Sequence, residues 1–139
     1  KTYGHNIGLS ACFRQPLAHS HCKLLHGYAL QFKFIFGCEH LDERNWVVDF
    51  GDLKDILHKY IYSMCDHRFM VYKKDDLFMS SITQEIEKEF NYFIVDYIPT
   101  AENINLWCVS NIKKNLPTSL TLVSCRLYES KNHWVQWQE

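Results

Sequence analysis

No run of apolar residues approaches the roughly 18 needed to cross a bilayer, so a membrane is not an expected partner. No basic-then-apolar leader opens the chain, and the segment reads as soluble and unexported. Lys and Arg form no stripe and the formal net charge is −1, which argues against nucleic acid as a partner. No CxxC pair occurs among the six cysteines at 12, 22, 38, 65, 108 and 125. An oxidised scaffold would be unusual in so apolar a chain, so reduced cytoplasmic thiols are expected, most of them small core residues. Internal repeats and low-complexity segments are missing too. What remains is 139 residues, 47% hydrophobic and 15% aromatic. That suits one globular domain over 1–139 with a real core.

Periodicity sketches the elements. Ile7, Leu9, Ala11 and Phe13 alternate with Gly8, Ser10 and Cys12, a half-buried strand over 7–13. Leu30, Phe32, Phe34 and Phe36 alternate with Gln31, Lys33 and Ile35, a second strand over 29–37. Residues 39–45 read as a loop and 46–50 as a short extended segment. Leu53, Ile56, Leu57, Tyr60 and Ile61 predict an amphipathic helix from 52 to about 63, with Asp49 able to cap it. Ile82, Ile86 and Phe90 suggest another helix over 80–92. Thr100 is a plausible N-cap, with Glu102 in the first turn, for a helix that Pro117 ends. Residues 120–129 and 133–137 predict two strands joined by a tight turn at 130–132. The order β-β-α-(α)-α-β-β contains no alternating βαβ units. It therefore predicts an α+β fold with a four-stranded antiparallel sheet and helices on one face.

Five fragments stand out: Cys22-Lys-Leu-Leu-His26-Gly-Tyr28, Val48-Asp49-Phe50-Gly51, Cys65-Asp66-His67-Arg68, Pro99-Thr100-Ala-Glu102-Asn103 and Leu127-Tyr128-Glu129-Ser130. In order and spacing they resemble the 6-pyruvoyltetrahydropterin synthase / 6-carboxytetrahydropterin synthase family, over roughly residues 5–137. The resemblance implies the tunnelling fold, whose subunit sheets join into a barrel, here a homo-oligomer (trimer or hexamer). Joining of this kind would also cover the two open edges of a lone sheet. It implies a lyase acting on 7,8-dihydroneopterin triphosphate, a small-molecule pterin substrate.

Residue by residue, the resemblance makes Cys22 a catalytic thiol that works with the pair Asp66 and His67 to move protons at the substrate side chain. A thiolate beside a cation and a histidine titrating near neutrality suit that work. Glu129 is implied to grip the guanidine-like edge of the pterin ring through two parallel N–H bonds. Thr100 is implied to lie near the ring through its backbone, with Glu102 and Asn103 securing the helix start. The bland readings are a solvated strand-end Glu129, an inert Cys22 and a surface His67.

The implied cofactor is zinc, held in the family by a histidine of the first strand and two of His-Gly-His. At those positions this chain has Phe13, His26 and Tyr28, and only His26 can ligate. His19-Ser20-His21 lies just upstream, and alternate residues of an extended segment point the same way. His19, His21 and His26 are therefore the expected metal trio, with Cys12 an outside candidate. His5, His40, His58 and His133 read as surface groups. The expected reaction yields 6-carboxy-5,6,7,8-tetrahydropterin on the 7-deazaguanine (queuosine) precursor route. The alternatives are 6-pyruvoyl product formation, or a non-catalytic pterin- or purine-binding protein that has lost the metal.

Overall fold

A computed structural model describes residues 1–4 and 8–139; the expectations for His5 and Ile7 lie outside the described residues. Seven strands appear: β1 (Thr2–Gly4), β2 (Leu9–Phe13), β3 (His26–Gly37), β4 (Arg68–Tyr72), β5 (Tyr92–Val95), β6 (Thr121–Tyr128) and β7 (Trp134–Gln138). They form one sheet in the order β5-β4-β2-β3-β6-β7, with β1 also paired to β3. β3 is the organising strand. Its first half pairs with β2, Phe13 opposite His26 and Leu9 opposite Leu30. Its second half pairs with β6, from Gln31 opposite Tyr128 to Gly37 opposite Thr121.

The expected four-stranded antiparallel sheet is corrected here. β4 runs parallel to both β2 and β5, so the sheet is mixed. Phe69, Met70 and Val71 are all buried. A strand covered on both faces shows no period-two alternation, which is why β4 escaped a periodicity reading. β4, the helices α3 (Asp76–Met79) and α4 (Gln84–Phe90), and β5 form the βαβ unit that the sequence seemed to lack. The helix expected over 80–92 is thus shorter, and its last residue opens β5. Residues 46–49 are irregular rather than extended, and Phe50 already opens a helix.

That helix, α1 (Phe50–Leu57), passes through a π turn (His58–Tyr62) into α2 (Ser63–Cys65). Asp49 caps it, its carboxylate accepting from the Gly51 N–H at 2.7 Å. Leu53, Leu57, Ile61 and Cys65 are all fully buried. Steps of four overshoot a 3.6-residue turn, and the wider i→i+5 turn brings Ile61 and Cys65 back onto the buried face. α5 (Ala101–Asn115) adds Ile104, Cys108 and Ile112 on one stripe. Both helices close the core over Leu30, Phe32, Phe34 and Phe36 of β3 and over Leu122 and Leu127 of β6. The Phe32, Phe34 and Phe36 rings stack in series at 5.7 and 6.1 Å.

One polar tie enters this framework. Arg14, just past β2, donates to buried Asp75 at 2.7 and 3.3 Å. Removing one partner of a pair like this strands a charge, so the exit of β2 toward the candidate site is held firmly.

Candidate functional site

Glu129 directly follows β6 and is half-buried at the turn into β7, where its N–H donates to the His133 carbonyl at 3.0 Å. It walls two hollows. One, of about 560 Å³, is shared with Gln15, Ala101, Glu102, Asn132 and His133. The other, of about 510 Å³, is shared with Ala29, Gln31, Tyr128 and Lys131. Burial pushes the Glu129 carboxyl above the usual carboxylate range and the Glu102 charge adds to this, while His26 and His133 oppose it.

Ala101 and Glu102 bring the start of α5 to the same hollow. Thr100 caps that helix, its hydroxyl accepting from the Asn103 N–H at 3.2 Å. Asn103 in turn donates to the Ile98 carbonyl at 3.0 Å. Thr100 and Asn103 thus build the helix start, whereas Glu102, expected to help secure it, lines the hollow with Glu129.

Cys22 lies half-buried in a 3-10 turn (His21–Lys23) capped by Ser20. Its thiol and the Glu129 carboxyl both lie within electrostatic reach of the Tyr28 phenol, whose pKa is raised first by burial and then by these two groups.

His67 lines a further cleft of about 390 Å³ with Ser10, Cys12, Tyr28, Ala29, Glu89 and Phe90, and Ala29 is common to it and to one hollow beside Glu129; Asp66 adjoins it through His67. Asp66 accepts from the Ser10 N–H at 2.8 Å and meets His67 Nδ1 at 3.0 Å. Burial raises its carboxyl, but the Ser10 N–H and His67 outweigh this and the net direction is down. His67 has a left-handed φ of 54° and a side chain 80% exposed. Such backbone strain on a non-glycine residue needs support. Here the His67 N–H donates to the Ser10 carbonyl at 2.7 Å, and its carbonyl accepts from Asn91 at 2.9 Å. A strained, exposed imidazole pinned beside a carboxylate is placed to present itself outward.

The metal expectation meets a different arrangement. Phe13, His26 and Tyr28 do converge, with ring centroids 5.3, 5.4 and 5.9 Å apart. Gly27 between them lets the strands close up, since a Cβ there would lie 3.1 Å from the Ala11 carbonyl oxygen. The three ligand positions are brought together, but two of the three donors are gone. His26 Nδ1 donates to the Leu24 carbonyl at 2.7 Å, leaving Nε2 as the acceptor, buried and without a partner. His19 and His21 are exposed on the preceding loop. Among the described residues, no group of three or more His, Cys, Asp or Glu side chains is placed to hold a metal ion. The expected trio of His19, His21 and His26 is corrected accordingly, and Cys12 faces the other cleft. Among the described residues, the donors present do not fit a catalytic zinc, which takes about three protein ligands.

A mixed sheet backed by two helices, with the start of one helix beside the half-buried Glu129 carboxyl, defines an α+β protein. The fold is similar to that of an uncharacterized protein from Wolinella succinogenes (TM-score 0.81, 16% identity, 99% of this chain and 97% of that one). It is also similar to 6-pyruvoyl tetrahydropterin synthase from Plasmodium vivax (TM-score 0.69, 12% identity, 100% and 98%). The family model for 6-pyruvoyl tetrahydropterin synthase matches residues 5–139, and the chain belongs to that family. Among its relatives is the 6-carboxy-5,6,7,8-tetrahydropterin synthase of Haemophilus influenzae, 32% identical over 85% of this chain and 84% of the relative. That of Rickettsia conorii is 29% identical over 83% of each chain.

Reasoning from the sequence treated Tyr28 only as a lost ligand and missed its packing against Phe13 and His26. The signal was present: Tyr28 and His26 are alternate residues of one strand and share a face. Gln15 was missed outright, and nothing in its local sequence marks it.

Proposed function

We propose that the chain is a 6-carboxy-5,6,7,8-tetrahydropterin synthase-like lyase acting on 7,8-dihydroneopterin triphosphate, on the 7-deazaguanine (queuosine) precursor route. The observation that carries this reading is the half-buried Glu129 carboxyl facing one hollow with the first turn of α5, with Cys22 and Glu129 both in electrostatic reach of Tyr28. Relatives bearing the 6-carboxytetrahydropterin synthase name support it. In this reading Glu129 accepts two N–H bonds from the ring edge, and the backbone at Thr100 borders the ring. Cys22 takes a proton from the substrate side chain, and the Asp66–His67 pair delivers one. A homo-oligomer whose sheets join at their open edges is part of the proposal. Free thiols at all six cysteines suit a cytoplasmic setting. The family is a zinc family by resemblance, but the donor set here does not fit the ion, and no step is routed through it.

A second reading, a pterin-binding protein without turnover, is favoured by Phe13 and Tyr28 at ligand positions. Incubation with 7,8-dihydroneopterin triphosphate, followed by mass spectrometry, separates the two. Conversion to 6-carboxy-tetrahydropterin is expected, and it should vanish in Cys22→Ala while calorimetric binding of neopterin persists, because a proton relay acts along the reaction path. Binding without any product favours the second reading. Absence of both sinks the pterin assignment.

A further inference from the structure

The family's metal position has been rebuilt rather than vacated. Phe13 is fully buried and packs edge-on against His26, so its ring belongs to the core. The His26 lone pair faces no donor, and its other nitrogen is committed to the Leu24 carbonyl. Tyr28 differs from both: it is only half-buried, and its hydroxyl has no hydrogen-bond partner among the described residues. It also lies near the carboxyl and the thiol of the proposed pocket. A phenol is a poor ligand for zinc when neutral, but it is a good hydrogen-bond donor to an alcohol or carbonyl oxygen.

We infer that the site takes its ligand without a resident metal, and that the Tyr28 hydroxyl contacts the ligand's side-chain oxygen from the third position of the Phe13–His26–Tyr28 cluster. The inference rests on the pterin reading above. A side chain bearing hydroxyls is the chemical class this donor recognises, whereas the ring is left to Glu129. Phe13 and His26 act as positioning residues, fixing the phenol by ring contacts at 5.9 and 5.4 Å.

The test uses the full chain, purified without an affinity tag from zinc-supplemented growth. Elemental analysis should find zinc well below one per chain. Calorimetry with neopterin, which carries side-chain hydroxyls, should give the same affinity with and without a chelator. Tyr28→Phe should weaken neopterin about three- to tenfold, the range for one lost neutral hydrogen bond. The same variant should bind unsubstituted pterin as the parent does, which a merely structural effect would not allow. The double variant Phe13→His/Tyr28→His should acquire about one zinc per chain, because the backbone already gathers the three positions. Stoichiometric zinc in the parent, or chelator-sensitive binding, overturns the inference while leaving the pterin reading intact. Equal losses for both ligands in Tyr28→Phe, or no loss for either, overturn the role of the hydroxyl. Failure of the parent to bind either pterin removes both the reading and the inference. A misfolded double variant leaves the parent's metal content and the Tyr28→Phe comparison to decide.

Discussion

Under the proposed pterin reading, Glu129 carries a conflict between stability and function. Its carboxyl is held above the usual range by burial, and then by Glu102. A carboxyl raised in the folded state favours folding most below its unfolded pKa, and that contribution is lost as pH rises through the folded value. At neutral pH the folded chain therefore carries a partly desolvated charge that a neutral side chain would spare it. Glu129→Gln is expected to melt at a higher temperature than the parent at pH 7–8. The gap should shrink as pH falls below the ordinary carboxylate range. The same variant should bind neopterin and unsubstituted pterin roughly a hundredfold more weakly, since it loses one charge-assisted pair. Thermal melts across pH, set beside calorimetry, check both halves. Lower stability at neutral pH would mean that an unseen cation balances the charge.

At the scale of elements, α5 links the core to the pocket. Its inner stripe of Ile104, Cys108 and Ile112 is fully buried, and Asn105 donates to the Cys125 carbonyl of β6 at 3.1 Å. Its first turn is held by Thr100 and opens onto Glu129. Thr100→Ala removes the side-chain cap while leaving the stripe in place. A loss of about 1 kcal/mol is expected, read by denaturant unfolding as a lower midpoint with an unchanged slope. A changed slope would show instead that the helix frays in the native state. The π turn after α1 is the companion device: it keeps a four-residue repeat of buried side chains on the sheet and delivers Cys65 to the core directly before Asp66.

At the scale of the whole molecule, the sheet path ends at β5 on one side and β7 on the other. The stretch of β3 over 26–30 pairs with β2 but lies beyond the pairing with β6. Ile94 and Trp134 on the end strands are each 48% exposed. Open edges with apolar side chains invite pairing with another chain. Light scattering at micromolar concentration is expected to give a trimer or a hexamer. A monomer with undiminished turnover would overturn the proposed homo-oligomer.

By itself the sequence determined what depends on neighbours along the chain. The alternation of Leu30, Phe32, Phe34 and Phe36 marked the central strand, Asp49 and Thr100 marked helix starts, and the five ordered motifs marked the family. These features are local, so their physics is written in spacing. Tertiary structure alone decided the rest. β4 is apolar on both faces and gave no period, and its parallel pairing with β2 and β5 depends on residues far apart in sequence. His19 and His21 looked like ligands by spacing, but the loop holds them in solvent. Phe13 and Tyr28 looked like simple losses. Only the register that sets Phe13 opposite His26 turns them into a packed ring cluster at one end of the sheet. A metal site or its replacement is a matter of distances between strands, and those distances are settled when the strands pair.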